Sequence, residues 1–181
     1  MPSLRDAFLA EMDRLQGEVG TVSIQRVVEL LGGGSRGRSA LAQQLAGTTD
    51  KRSREYKNAQ RNVNRWTTER GAERRTPRGV NAQRIQATGQ RRELGQRLRQ
   101  ARITASAELE VDPSPDGTEA GMRPRDIQDV EIEDKRWVDA FEDSRDDDAA
   151  QLFGEALLDA YEPTLRDSAI GDVESLHLEL E

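Results

Sequence analysis

Four cations, Arg54, Lys57, Arg61 and Arg65, recur at three- and four-residue spacing in one stretch of the chain, with Asn58 and Asn62 between them. On a helix this spacing brings the charges to one side. Guanidinium and ammonium groups in such a row neutralise phosphates, while Asn and Arg carry the paired donors and acceptors that read adenine and guanine edges. The chemistry is that of duplex DNA contact. Arg54, Lys57, Arg61 and Arg65 are expected on the backbone, and Asn58, Asn62 and Arg65 are expected to carry base specificity.

Other reactive groups are sparse. Ser114 and Thr118 lie in a Pro/Gly-rich stretch, where a hydroxyl is either a turn residue or a group presented outward to an enzyme. Gly32 to Ser39 spells GGGSRGRS, but Arg38 stands where a phosphate-binding loop needs Lys and the preceding segment is an amphipathic helix, so the stretch reads as a flexible turn. Asp146, Asp147 and Asp148 open a helix, which the macrodipole explains without a metal ion. With one histidine, His177, and no cysteine, neither a His-based triad nor a zinc site is supported. No catalytic residue, metal or cofactor is expected, and the chain does not read as an enzyme.

Charge is distributed in two blocks. Residues 35–103 carry 18 Lys+Arg against 5 Asp+Glu, and residues 104–181 carry 6 against 24, so the net charge of -7 conceals a basic segment joined to an acidic one. The basic block is the electrostatic footprint of a nucleic-acid surface, and the acidic block favours solubility and repels other polyanions. Only 34% of residues are apolar and 4% aromatic, so each part must have a small core. The absence of cysteine suits a reducing cytosol, and nothing reads as a signal peptide or membrane span.

Periodicity supplies the elements. Leu4, Phe8, Met12 and Leu15 predict a first helix from Ser3, with Gly17 and Gly20 ending it. A second runs from Ser23 to the triple glycine, and a short third from Arg38 to Ala46. After a turn at Gly47 to Arg52, Ser53 opens a longer helix, in which Tyr56, Ala59, Val63 and Trp66 form the apolar stripe opposite the cations. Short helix, turn and longer helix read as a helix-turn-helix. Asn81 to Arg102 is expected to be helical but largely solvated or phosphate-facing, since it has few apolar residues beyond Ile85, Leu94 and Leu98. Ile103 to Val111 alternates with period two and predicts a strand. A long loop from Asp112 to Pro124 precedes a short strand around Val130 and Ile132. A helical turn at Trp137 to Phe141, an amphipathic helix from Asp146 to Tyr161 and a final strand around Leu176 to Leu180 complete the chain. The expected class is α+β: an all-helical region, residues 1–102, with a helix-turn-helix, then a small three-stranded α+β domain, residues 103–181.

This layout resembles the terminal proteins of linear actinobacterial replicons. The resemblance rests on the length, on the basic helix Ala59-Gln-Arg-Asn-Val-Asn-Arg-Trp66, on the mid-chain strand and Pro/Gly loop, on Ala149-Ala-Gln-Leu-Phe153 after an acidic helix start, and on Asp172-Val-Glu-Ser-Leu-His-Leu178. It implies a protein that caps a replicon end and primes its replication, with a Ser or Thr hydroxyl joined to the DNA 5′ end. By position Thr118 is the first choice for that hydroxyl and Ser114 the second. The implied partners are double-stranded DNA and a DNA polymerase, with no membrane, and the location is cytoplasmic, at the nucleoid. The competing expectation is a helix-turn-helix regulator of transcription or plasmid copy number whose acidic domain dimerises or binds a partner. A third is an acidic interaction module with a basic solvated arm.

Overall fold

The computed structural model describes residues 2–67, 76–112, 121–165 and 168–181. Its elements are α1 (Leu4–Val19), α2 (Ile24–Leu30), α3 (Gly34–Ala46), α4 (Arg54–Thr67), α5 (Gly79–Gln100), β1 (Ile103–Asp112), β2 (Arg123–Glu131), α6 (Arg136–Glu142), α7 (Asp146–Tyr161), a single 3-10 turn (Pro163–Leu165) and β3 (Ala169–Leu180). Among the described residues five helices precede the first strand and two more lie between β2 and β3, and the fold is α+β. Among the described residues no helix is long and apolar enough to cross a membrane.

The chain divides into two compact units, residues 19–93 and residues 1–18 with 94–181. The expected boundary at 102/103 is therefore displaced on both sides. The first unit carries 16 Lys+Arg against 6 Asp+Glu and the second 11 against 28, net charges of +10 and -17. The physical reason for the shift lies in α1 and in the end of α5, whose apolar residues complete the acidic unit's core.

In the basic unit, Val27, Val28, Leu41, Ala42, Tyr56, Val63, Trp66 and Ile85 form one buried cluster. Ser23 caps α2 by accepting from the Arg26 N–H at 3.2 Å. The triple glycine does more than stop α2. Gly33, at φ 70°, is the N-cap of α3, which begins at Gly34 and not at Arg38, so most of GGGSRGRS is helical and the flexible-turn reading is corrected. Gly37 then lets α3 cross α2 backbone to backbone: a Cβ there would stand 2.0 Å from the Val28 carbonyl oxygen. Gly37→Ala is expected to cost about 3 kcal/mol through that overlap. Gly17, inside α1 where an added methyl group would meet no other atom, gives the opposite sign: Gly17→Ala should gain about 0.5–1 kcal/mol of helix propensity. Urea unfolding of the two variants against the parent chain checks both signs.

The first part of α5 packs by glycine as well. A Cβ at Gly89 would meet Val27 and Val22 side chains at 2.7 and 2.9 Å, and Gln86 accepts from the Val22 N–H at 3.2 Å while donating to the Gly20 carbonyl at 2.9 Å. The expectation of a largely solvated helix is corrected by these contacts.

In the acidic unit the sheet order is β2-β1-β3, antiparallel throughout. Ile103, Ala105, Ala107, Leu109 and Val111 of β1 face the core. Phe8 of α1 packs on Trp137, Phe141 and Phe153, with ring centroids 5.7, 6.5 and 5.2 Å away. Ser3 caps α1 as expected, its hydroxyl donating to Asp6 at 2.7 Å and accepting from the Asp6 N–H at 3.2 Å. The helix runs through Gly17 to Val19.

Both edges of this sheet are modified. On β3, the Leu178 N–H donates to the Glu11 carboxylate at 2.6 Å, Arg14 donates to the Leu178 carbonyl at 2.9 Å, and the Val173 N–H donates to the Pro2 carbonyl at 3.0 Å. Glu11 is only 6% exposed. Burial alone would raise its pKa, but hydrogen bonds from Arg14 and from Leu178 outweigh it and hold the carboxyl below its usual range. On β2, Pro124 removes a donor and a bulge at Asp129, φ 50°, breaks the register opposite Ser106. The Ser106 hydroxyl holds the bulge, bonded at 3.1 Å to both the Asp129 carboxylate and its N–H.

Candidate nucleic-acid interface

The candidate site is one face of α4, and the turn before it fixes where that face begins. Gly47 closes α3 in the left-handed conformation, φ 65°. Asp50 organises the next residues, its N–H donating to the Thr48 hydroxyl at 3.1 Å and its carboxylate accepting from the Arg52 N–H at 2.9 Å. Ser53 then accepts from the Tyr56 N–H at 3.0 Å and starts α4. The turn is longer than the shortest helix-turn-helix connection, but each of these polar groups has a local partner.

Tyr56, Val63 and Trp66 anchor α4 on the side facing α2 and α3, and all three are buried. At about 100° per residue, Arg54, Arg61 and Arg65 fall within about 40° of one another on the opposite side. Lys57 flanks that line on one side and Asn58 on the other. All five are exposed. Asn62 differs from expectation: it is half-buried, at the border between the exposed face and the side that Trp66 buries.

Among the described residues, Arg54, Lys57, Arg61 and Arg65 make no ion pair. The contrast with the acidic unit is marked. There Arg5 pairs with Asp147, Arg14 with Glu11 and Glu18, Arg102 with Glu131, Arg136 with Asp134 and Arg145 with Asp148. Arg99 reaches Glu142 at 2.5 Å and Asp139 at 2.6 Å, and its pKa is raised, first by the hydrogen bond to Glu142. A cation already paired has half-satisfied its field, whereas the α4 row presents its full charge to an incoming polyanion.

The other sequence candidates are placed more simply. Thr118 and Ser114 lie outside the described residues. Asp146, Asp147 and Asp148 occupy the first turn of α7, where Asp147 and Asp148 are taken by Arg5 and Arg145. His177 lies on β3 with Nδ1 3.3 Å from Glu11. Among the described residues no group of three or more His, Cys, Asp and Glu is arranged to hold a metal ion. Sequence reasoning passed over Glu11 and Arg14, which act on the sheet, and Gly37 and Gly89, which set how closely α3 and α5 approach Val28, Val27 and Val22 at α2. A glycine within a helical period was the available signal.

Asn62→Ala is expected to relax sequence preference by about 1–3 kcal/mol at a single base pair. Competition binding with a panel of single-base operator variants measures this; a uniform loss over the panel would place Asn62 on the backbone.

Comparison of the chain with protein-family models, with curated proteins and with solved structures finds no match.

Proposed function

We propose that the chain is a DNA-binding protein that acts at a replicon end or origin, with its basic unit docking duplex DNA through α4. The observation that carries the DNA part of this reading is the row Arg54, Lys57, Arg61 and Arg65, exposed and unpaired among the described residues. The α3-turn-α4 arrangement supports it, because α3 packs across the back of α4 and leaves the cationic side outward. The residue types on that side suit DNA contact, with forked or compact cations for phosphates and amides beside them for base edges.

The finer part of the reading rests on the resemblance to terminal proteins. A hydroxyl of Thr118, or in second place Ser114, accepts the first nucleotide from a DNA polymerase and remains joined to the DNA 5′ end. In that step the hydroxyl oxygen attacks the α-phosphate of a deoxynucleoside triphosphate, pyrophosphate leaves, and the polymerase supplies the metal ions. The competing reading is a helix-turn-helix regulator, which the self-contained basic unit supports without any priming hydroxyl. One experiment separates them. Incubation with the cognate polymerase and an α-labelled nucleotide is expected to label the chain covalently, and Thr118→Ala with Ser114→Ala is expected to abolish the label. Labelling that survives both changes moves the linkage elsewhere. No label at all, with DNA binding intact, leaves the regulator.

A further inference from the structure

Among the described residues the outer face of the sheet is another charged surface whose carboxylates lack ion pairs. Glu108 and Glu110 of β1 and Glu174 of β3 make no ion pair among the described residues, and Asp126 of β2 is the register partner of Glu108. With Arg125 they line a shallow depression of about 290 Å³. Against the four carboxylates that line this depression stands one arginine, Arg125. The face therefore carries an excess of negative charge, as the α4 face carries an excess of positive charge.

The two surfaces also match in pitch. Alternate residues on a strand lie about 6.8 Å apart, the spacing of Glu108 and Glu110 along β1. Residues four apart on a helix rise about 6 Å, the spacing of Lys57, Arg61 and Arg65 along α4. Glu108 and Glu110 at that interval, with Asp126 and Glu174 on the neighbouring strands, offer a basic helix four carboxylates on one face. We propose that the outer sheet face is a docking surface for the α4 face of a second copy of this chain, so that its carboxylates compete with DNA phosphates for the same cations. Such a contact is head-to-tail: a pair so joined keeps one free acidic face and one free basic face. The competition with DNA rests on the function proposed above; the self-association does not.

Sedimentation velocity of the full chain without nucleic acid tests the association. At about 20 mM salt the weight-average mass is expected to rise with protein concentration, and at about 500 mM it should fall to that of one chain. The variant E108Q/E110Q/D126N/E174Q should self-associate at least about tenfold more weakly and bind DNA at least as tightly as the parent, because α4 is untouched and its competitor is removed. K57E/R61E/R65E alone should lose self-association and regain association when mixed with E108K/E110K/E174K, with circular dichroism checking that each variant has folded. A mass independent of concentration at low salt, or an acidic-face variant that associates like the parent, overturns the proposal. If association follows these rules while neither parent nor variant binds DNA, the docking surface stands and the DNA-binding function falls.

Discussion

Raising the salt from about 50 to about 200 mM is expected to weaken binding of the chain to duplex DNA by roughly a hundredfold. The magnitude follows from the four unpaired cations of α4. If each neutralises one phosphate, the slope of log affinity against log salt is about -3.6, which over a fourfold change in salt is a little more than two decades. Fluorescence anisotropy of a labelled duplex across that range supplies the slope. Removing one member sharpens the test: Arg61→Ala should make the slope shallower by about one unit while lowering affinity alike for all sequences. A flat salt response would eliminate the phosphate row as the binding element.

Trp66→Ala is expected to cost about 3–5 kcal/mol of stability, enough to unfold much of a small basic unit. Trp66 is 8% exposed and joins Tyr56 and Val63 in the single apolar cluster that holds α4 on α2 and α3. Urea denaturation followed by far-ultraviolet circular dichroism gives the midpoint shift, and DNA binding should disappear in step with the helix signal. A Trp66→Ala chain with the parent's stability and no DNA affinity would instead make the indole a contact residue.

Much of this architecture was legible in the residues, because period and capping are local. The stripe Tyr56, Val63, Trp66 placed α4 and its charged side, Ser3 with Asp6 marked the start of α1, and the alternation from Ile103 to Val111 marked β1. What escaped was decided by contacts distant in sequence. Phe8 reads as one more helical apolar residue, and nothing nearby says that its ring neighbours are Trp137, Phe141 and Phe153. Gly37 and Gly89 have no side chain to announce a partner, so their helices read as broken or bare where they are in fact closely packed. Strand order likewise depends on pairings such as Ala105 with Leu178, which no local period encodes. The α4 site was readable for the converse reason: its face is defined by residues of one helix, and only the half-burial of Asn62 depended on its surroundings.

The treatment of the sheet edges bears on how this chain avoids fibre growth. A bare edge strand is a template onto which an identical strand can add indefinitely. Here Glu11 and Arg14 occupy the hydrogen-bonding groups of Leu178 as an extra strand would, and on the far side Pro124 and the Asp129 bulge spoil the regular ladder a newcomer would need. Three strands are thus a terminated stack and not the seed of a longer one. The guard on β3 is conditional on ionisation. Because Glu11 has a lowered pKa in the folded chain, its contribution is complete at neutral pH and is lost only as acid protonates the carboxylate, which leaves the Arg14 and Pro2 bonds to cover that edge.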